Sequence, residues 1–376
     1  MAVEQDMHDG MLTMYAPDMG DHSGGAAVWG DAATIVPWNM YQAYGDKRIL
    51  VDQFDSMRRW IDFMRDHAVN DIWNYKLQFG DWVALDAEEG SYWGATPNDL
   101  TCTAYYAYST GLFVKACRAL GRDDLAEEYA ALYDRVVRRF REEFLDERSV
   151  MKVQTQTAHI VALYFHLVPK EGIPGTLAGL KRLLAKENGH LVTGFVGTPY
   201  FCHALSQNGA LDEAYELLLR EDFPSWLYQV KAGATTVWEH WDGMKPDGTM
   251  WSPDMNSFNH YAYGAIGEWL YRVVAGIEID EQNPGYKHAV LAPRPGGQLT
   301  WARGHYDSVY GRVATAWEQH NNTVTLTVQV PFNTTASIVL EEGAQAPDSS
   351  LAFQRNADGL LEARAGSGTW TVTYTR

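Results

Sequence analysis

Cysteine and basic residues are scarce in this sequence of 376 residues. The three cysteines, Cys102, Cys117 and Cys202, are odd in number and lack the spacing of metal ligands, so we expect reduced core thiols rather than a disulfide framework. Lys and Arg number 30 against 48 Asp and Glu, which gives a net charge of −18 at pH 7. Because phosphate groups are bound by clustered Lys and Arg, we predict no nucleic-acid partner and no membrane partner.

Long apolar runs and the usual cofactor motifs are also missing. No stretch of 18 apolar residues occurs, and residues 1–10 are acidic without an apolar segment, so we expect neither a membrane span nor a signal peptide and predict a cytoplasmic protein. There is no Ser-His-Asp motif, no glycine-rich phosphate loop and no His-x-x-x-His or Cys-x-x-Cys pair. We therefore predict no cofactor and no metal ion.

Aromatic residues, in contrast, are abundant. They make up 13% of the chain, with 14 Trp and 21 Tyr. This content favours a carbohydrate or another flat ligand. It is also typical of a helical barrel packed with aromatic side chains, and the two interpretations are compatible.

Apolar periodicity predicts a chain made mostly of helices. In the segment 48–69, Ile49, Phe54, Met57, Trp60, Ile61 and Met64 recur at steps of three and four residues. Short joints with Gly or Pro separate most of the helices, which indicates helical hairpins in a solenoid or in a closed ring. The segment 70–97 is a long aromatic and acidic loop, of the kind that carries function. The predicted helices are 31–45, 48–69, 98–120, 123–145, 155–168, 175–188, 199–208, 211–221 and 258–276.

The pattern changes to strands after about Asp280. Residues 323–330 alternate strictly between polar and apolar side chains, as do residues 369–374. We predict a mainly α fold with a C-terminal β domain, in which residues 1–280 form the helical domain and residues 281–376 a β-sandwich.

Glu239 is the residue around which we place the chemistry. It lies between Trp238 and Trp241, in a segment bounded by Gly233 and Gly243. A carboxylate beside indole rings is partly desolvated and is a better base, and indole faces stack on sugar rings. The alternative is an aromatic core turn with a capping glutamate, which the segment alone supports equally well.

Three other places carry residues of the right types. Trp29 and Asp31 stand at the start of the first predicted helix, where Asp31 is also a candidate N-cap. Asp81 and Trp82 lie in the aromatic loop, and His260 stands near the start of the last predicted helix. Trp29 and Trp82 could instead be core residues, and His260 a core histidine. Carboxylates with tryptophans and no cofactor motif predict glycoside hydrolysis.

The order of these motifs resembles the bacterial α-L-rhamnosidases, an inverting family of the six-hairpin glycosidases. The resemblance extends over nearly the whole chain, and the motifs are specific in combination. They are Trp29-Gly30-Asp31-Ala32-Ala33, Pro37-Trp38, Tyr44-Gly45-Asp46, Gly80-Asp81-Trp82, Thr96-Pro97-Asn98-Asp99-Leu100, Gly194-Phe195-Val196-Gly197-Thr198-Pro199, Ala234-Thr235-Thr236-Val237-Trp238-Glu239-His240-Trp241, Ser257-Phe258-Asn259-His260-Tyr261 and Pro293-Arg294-Pro295.

The resemblance implies an (α/α)6 barrel followed by a β-sandwich. It implies that Glu239 is the general base that activates water, that Trp29 and Trp82 line the pocket, and that His260 contacts the sugar. The substrate would be a rhamnose-containing glycoside, and the products free rhamnose and an aglycone. We count Asp31, Asp81, Trp238 and Trp241 among the candidate substrate-binding residues.

The sequence departs from the family at its N-terminal side. The family's general acid is a glutamate in an Arg-Asp-Glu-Arg-like motif before the Trp-Gly-Asp stretch, and residues 1–28 contain no such motif. Nine predicted helices also fall short of the twelve in a closed six-hairpin barrel. We expect a fragment of a longer enzyme, a chain completed by a separate N-terminal half, or a non-catalytic carbohydrate-binding relative. Asp86, Glu88 and Glu89 are the nearest candidates for a substitute acid, and a homo-oligomer is a further possibility.

Overall fold

The structure is a computed structural model that describes residues 2–20 and 23–376. The chain forms two compact units. The first, which we call the helical unit, comprises residues 1–38 and 50–265. The second, the β unit, comprises residues 39–49 and 266–376. The domain boundary predicted near residue 280 stays a prediction.

Most of the predicted helices are confirmed to within a few residues. Predicted helix 155–168 is shorter in the structure, where it ends at Tyr164. The short helices α1 and α10 were not predicted. The helices are α1 (Ala2–Met7), α2 (Ala32–Tyr44), α3 (Arg48–His67), α4 (Asn98–Ala119), α5 (Asp123–Phe144), α6 (Gln156–Tyr164), α7 (Ile173–Lys186), α8 (Thr198–Gln207), α9 (Leu211–Leu219), α10 (Trp226–Lys231) and α11 (Ile266–Trp269).

Apolar faces explain how these helices pack. The stripe predicted on α3 is buried at Phe54, Met57, Trp60, Ile61 and Met64. Within the helical unit α4 packs on α5, α6 on α7 and α8 on α9, and α6 also contacts both α4 and α8. Consecutive helices therefore pair as hairpins, and α6 joins neighbouring pairs.

The last predicted helix, 258–276, differs from the structure. Its N-terminal part is not helical, because His260 N donates to Val237 O (2.9 Å) and Ser257 O accepts from Glu239 N (2.9 Å). These contacts hold residues 257–260 against the segment 237–239 in an irregular conformation. Helical structure starts only with the 3-10 turn Ala262–Ala265, continues through α11, and ends in the π-helical turn Leu270–Val274.

The β unit contains two five-stranded sheets, which confirms the predicted C-terminal β domain. In the strand predicted at 323–330, Val324, Leu326, Val328 and Val330 are buried and alternate with more exposed residues. The sheet orders are β1-β2-β6-β9-β8 and β3-β4-β5-β10-β7. The strands are β1 (Ile277–Ile279), β2 (His288–Leu291), β3 (Trp301–Ser308), β4 (Gly311–His320), β5 (Thr323–Val330), β6 (Thr335–Val339), β7 (Gln345–Asp348), β8 (Gln354–Arg355), β9 (Leu361–Ala365) and β10 (Gly368–Thr375).

Two expectations about composition can be compared with the structure. Cys102, Cys117 and Cys202 are unpaired and buried, as predicted. No helix in the described ranges is long and apolar enough to cross a membrane.

The packing of α3, α4 and α5 predicts a large loss of stability for Phe113→Ala. The Phe113 ring is fully buried, and it contacts the rings of Phe54 (5.1 Å) and Tyr129 (4.7 Å). We expect a decrease of about 3–5 kcal/mol in the free energy of unfolding, because the substitution leaves a cavity. The same change at Phe332, which is 85% exposed, should cost less than about 0.5 kcal/mol. Chemical denaturation measures both, and equal losses would contradict the packing described here.

Candidate active site

Glu239 lies in an irregular segment that is held against residues 255–260. Its backbone N–H donates to Ser257 O (2.9 Å), and Ser257 N donates to Glu239 Oε2 (2.8 Å). No other group among the described residues donates to this half-buried carboxylate. One oxygen is thus fixed by a backbone amide, and Oε1 remains able to accept a hydrogen bond from a water molecule.

The two tryptophans beside Glu239 are core residues. Trp238 is 3% exposed and packs edge-on against Phe258 (5.3 Å). Trp241 is 1% exposed, stacks on Tyr263 (4.1 Å) and donates through Nε1 to Thr193 O (3.3 Å). Both indoles therefore support the Glu239 segment from the protein side, and their predicted contact with a sugar stays a prediction.

His260 presents one ring nitrogen to a possible ligand. Its ring stacks on Phe195 (4.8 Å), and Nδ1 accepts from Ala262 N (3.3 Å). Because Nδ1 is an acceptor, a neutral His260 carries its proton on Nε2, which can then donate.

Glu239 and His260 both act electrostatically on the buried His240. Burial lowers the pKa of His240, the Glu239 carboxylate raises it, and His260 lowers it further. The His240 Nε2 pairs with Met255 O at 3.1 Å. Glu239 and His260 thus both lie within electrostatic reach of His240, and the lowered pKa of His240 favours its neutral imidazole at neutral pH.

Asp81 organises the loop that precedes α8. Its Oδ2 accepts from Gly194 N (3.0 Å) and from the Thr157 hydroxyl, and its Oδ1 accepts from Val196 N (2.8 Å) and Gly197 N (3.2 Å). Burial raises the pKa of Asp81, and these four hydrogen bonds oppose the shift. Both oxygens are engaged by the protein, so the sugar contact predicted for Asp81 stays a prediction.

Asp31 is likewise buried and hydrogen-bonded to the protein. It accepts from Val28 N (2.7 Å), Trp60 Nε1 (3.0 Å) and Ser109 Oγ (2.5 Å). Burial raises its pKa, and the hydrogen bonds oppose the shift. Asp31 directly precedes α2 as predicted, but its side chain binds Val28 N and not an amide of the first helical turn. Its predicted role in substrate binding stays a prediction.

A line of aromatic rings connects the candidate residues. Trp29 and Trp82 are both half-buried and are joined through Phe79, at centroid distances of 4.6 Å and 5.3 Å. From Trp82 the line continues to Tyr92 (5.1 Å), Trp251 (5.5 Å) and His240 (3.7 Å). The rings thus lead from Trp29 to His240, the residue next to Glu239, and the predicted contact of Trp29 and Trp82 with a sugar stays a prediction.

Several residues of this neighbourhood were not proposed from the sequence as site residues. Phe79 and Tyr92 belong to the aromatic loop 70–97, which was predicted to carry function, so a signal for them existed. Phe195 and His240 stand in two of the motifs that resemble the family, but no role was predicted for them, and Trp251 stands in none of these motifs. Only the pairing of distant loops brings the three rings to this neighbourhood.

One group of side chains among the described residues could hold a metal ion. Glu4, His8 and Asp18 place a ligand atom each within 4.8 Å of one another. His8 Nε2 and Asp18 Oδ2, at 3.2 Å, also form an ion pair when the histidine is protonated. The group includes none of the predicted site residues.

Asp86 is the half-buried acid of the aromatic loop. Its Oδ1 accepts from Ala95 N (3.0 Å). Burial is the main cause that raises its pKa from 3.8 to about 6, and the nearby charge of Asp81 adds to the rise. Glu88 and Glu89, in the same loop, are exposed.

Helical hairpins followed by a two-sheet domain place the chain in the class of the six-hairpin glycosidases. Residues 1–274 match the bacterial alpha-L-rhamnosidase 6 hairpin glycosidase domain, and residues 276–350 match the bacterial alpha-L-rhamnosidase C-terminal domain. The chain belongs to the bacterial α-L-rhamnosidase family.

Curated proteins similar to this chain are α-L-rhamnosidases. The α-L-rhamnosidase of Streptomyces avermitilis is 38% identical over 369 residues, which cover 97% of this chain and 34% of that protein. An α-L-rhamnosidase of Formosa agariphila is 37% identical over 336 residues, 89% of this chain and 36% of that protein. The chain thus spans about a third of the length of these curated relatives.

Solved structures show the same fold. The crystal structure of the Streptomyces avermitilis enzyme complexed with L-rhamnose superposes with a TM-score of 0.89 over 97% of this chain and 34% of that chain. The native enzyme of Aspergillus terreus, 30% identical, also gives 0.89, over 100% of this chain and 42% of that chain.

The raised pKa of Asp86 predicts a pH-dependent stability. Between about pH 4 and pH 6 the folded chain holds a proton that the unfolded chain has lost, so stability falls as pH rises through that window. Asp86→Asn keeps an acceptor for Ala95 N and removes the charge. We expect it to stabilise the chain by about 1–3 kcal/mol at pH 8 and to have little effect near pH 3.5.

Thermal unfolding of both proteins across this pH range measures the effect. Asp247→Asn is the control, because the pKa of the exposed Asp247 is lowered by its hydrogen bonds with Thr249 and any effect should have the opposite sign. An Asp86→Asn variant that is no more stable than the wild type at pH 8 would contradict a raised pKa of Asp86.

Proposed function

We propose that this chain is the helical and C-terminal part of an α-L-rhamnosidase, which releases terminal α-L-rhamnose from rhamnosides with inversion. Glu239 is the general base. The observation that supports this role is the hydrogen bonding of its carboxylate: Oε2 accepts from Ser257 N, and Oε1 is left to accept from water. Membership of the rhamnosidase family and the relative solved with L-rhamnose support the substrate class.

The proposed reaction is a single displacement. Glu239 takes a proton from a water molecule as the water oxygen attacks the anomeric carbon, and the bond to the leaving oxygen breaks on the opposite face. That oxygen requires a proton from an acid when the leaving group is a sugar, and little help when it is an aryl group. His260 Nε2 donates to the sugar, and Trp29 and Trp82 stack on it.

The acid belongs, in this proposal, to the part of the enzyme that the chain does not include. The chain spans about a third of the length of its relatives, and residues 1–28 lack the family's acid motif. Asp86 is the alternative donor within the chain, since its pKa of about 6 keeps it partly protonated near neutral pH. A separate N-terminal half is the partner to test, and self-association stays a prediction.

A cytoplasmic location is the remaining part of the proposal. The three buried, unpaired cysteines support it, because reducing compartments keep thiols free.

Two substrates and one variant test the general base. We expect the purified chain to hydrolyse an aryl α-L-rhamnoside and to leave a rhamnosyl disaccharide nearly unchanged. Glu239→Gln, which still accepts from Ser257 N, should lower aryl rhamnoside hydrolysis by at least about 10²-fold, while rhamnose binding persists. Reaction rates and calorimetric titration with rhamnose measure the two effects.

The other outcomes are equally informative. Turnover of both substrates means that an acid lies within these residues, and Asp86→Asn then identifies or eliminates it. A folded chain that binds rhamnose and hydrolyses neither substrate is either a carbohydrate-binding relative or an incomplete barrel, and addition of a separate N-terminal half distinguishes the two. A Glu239→Gln variant of normal activity removes Glu239 from catalysis.

Trp82→Ala tests the aromatic surface separately. We expect rhamnose affinity to fall about 2- to 10-fold, because one stacking face is lost. Trp301→Ala is the matched control, since this indole is 58% exposed on strand β3 of the other unit. Titration of each variant with rhamnose measures the affinity, and unchanged binding in Trp82→Ala would remove this indole from the pocket.

A further inference from the structure

Gln229 hydrogen-bonds to the backbone on both sides of Glu239. It lies on α10 and is 4% exposed. Its Oε1 accepts from Trp238 N (3.4 Å), and its Nε2 donates to His240 O (3.1 Å). One side-chain amide thus replaces a neighbouring strand for the two residues that flank the carboxylate.

These contacts complete the support of an otherwise irregular segment. On one side, Ser257 pairs with the backbone and the carboxylate of Glu239. On the other side lies Gln229, whose side-chain hydrogen bonds go to Trp238 N and His240 O and not to the Glu239 carboxylate. The segment is therefore held by two partners: Ser257 binds the backbone N–H of Glu239, and Gln229 binds the backbone of the two flanking residues.

We infer that Gln229 is a positioning residue that sets where Glu239 holds the attacking water. The inference rests on the proposed function of Glu239. General-base catalysis requires the carboxylate oxygen and the water to lie within hydrogen-bond reach in the correct direction. A displacement of about 1 Å can cost about 100-fold in rate, so hydrogen bonds to the two flanking peptides can affect the rate without any contact with the substrate.

The same arrangement occurs at a second place and supplies a matched control. Gln156, 2% exposed on α6, donates to His190 O (3.0 Å) and accepts from Val192 N (2.8 Å). It thereby brackets Leu191, a residue without a reactive group. Loss of either glutamine amide removes the partner of one backbone N–H and one backbone C=O, in buried surroundings at Gln229 and in part-buried surroundings at Gln156.

The experiment compares Gln229→Met with Gln156→Met in the full chain. Methionine preserves length and removes both hydrogen bonds. With an aryl α-L-rhamnoside as substrate, we expect Gln229→Met to lower kcat about 10- to 100-fold. Its KM and its affinity for rhamnose should change by less than about twofold. Both substitutions should lower the melting temperature, whereas only Gln229→Met should lower kcat and Gln156→Met should leave it nearly unchanged.

Gln229→Glu provides a second variant should Gln229→Met not fold. Burial next to the His240 carbonyl favours the protonated carboxyl group, which can accept from Trp238 N and donate to His240 O with altered geometry. We expect a kcat between those of the wild type and Gln229→Met, which is partial rescue by the residue of similar shape.

The outcomes separate this inference from the proposed function. An unchanged kcat in folded Gln229→Met, or in Gln229→Glu if only that variant folds, overturns the positioning role alone. An equal loss of kcat in Gln156→Met also overturns it, because the effect would then reflect stability. A wild-type chain without aryl rhamnosidase activity, or an active Glu239→Gln variant, overturns the proposed function and this inference with it.

Discussion

The buried carboxylate of Asp81 connects parts of the helical unit that the helices alone leave apart. It binds a hydroxyl of α6 and three amides of the loop before α8, while the next residue, Trp82, accepts from Phe195 N through its carbonyl (3.0 Å). The backbone N–H groups of four consecutive residues, 194–197, thus all donate to Asp81 or Trp82. The stack of His260 on Phe195, and with it the neighbourhood of Glu239, depends on this contact.

The three carboxylates of the candidate site differ in how many of their acceptor positions the protein fills. Asp31 accepts three hydrogen bonds and Asp81 four, and both are buried. Glu239 accepts one, and it is half-buried. A carboxylate surrounded by protein donors stabilises loops, whereas one with an unengaged oxygen can bind water or substrate. This difference, and not residue type, distinguishes the proposed base from its neighbours.

Periodic segments were predictable because their structure follows from local patterns. The stripe of α3 and the alternation of β5 each bury one face, and the observed elements match the predicted ranges closely. The last helix was predicted too long for the opposite reason. Residues 257–260 have no local feature that prevents a helix, and their pairing with the segment at 237–239 is a long-range contact.

The sequence by itself determined where most helices and strands lie, the family, and Glu239 as the residue of interest. It could do so because residue spacing and short motifs are local properties. Only the tertiary structure decided that Trp238 and Trp241 face the core, that Asp31 and Asp81 bind backbone amides, and that Gln229 brackets Glu239. Whether a polar side chain is engaged by the protein or left open depends on which distant donors the fold brings to it, and no local pattern encodes that.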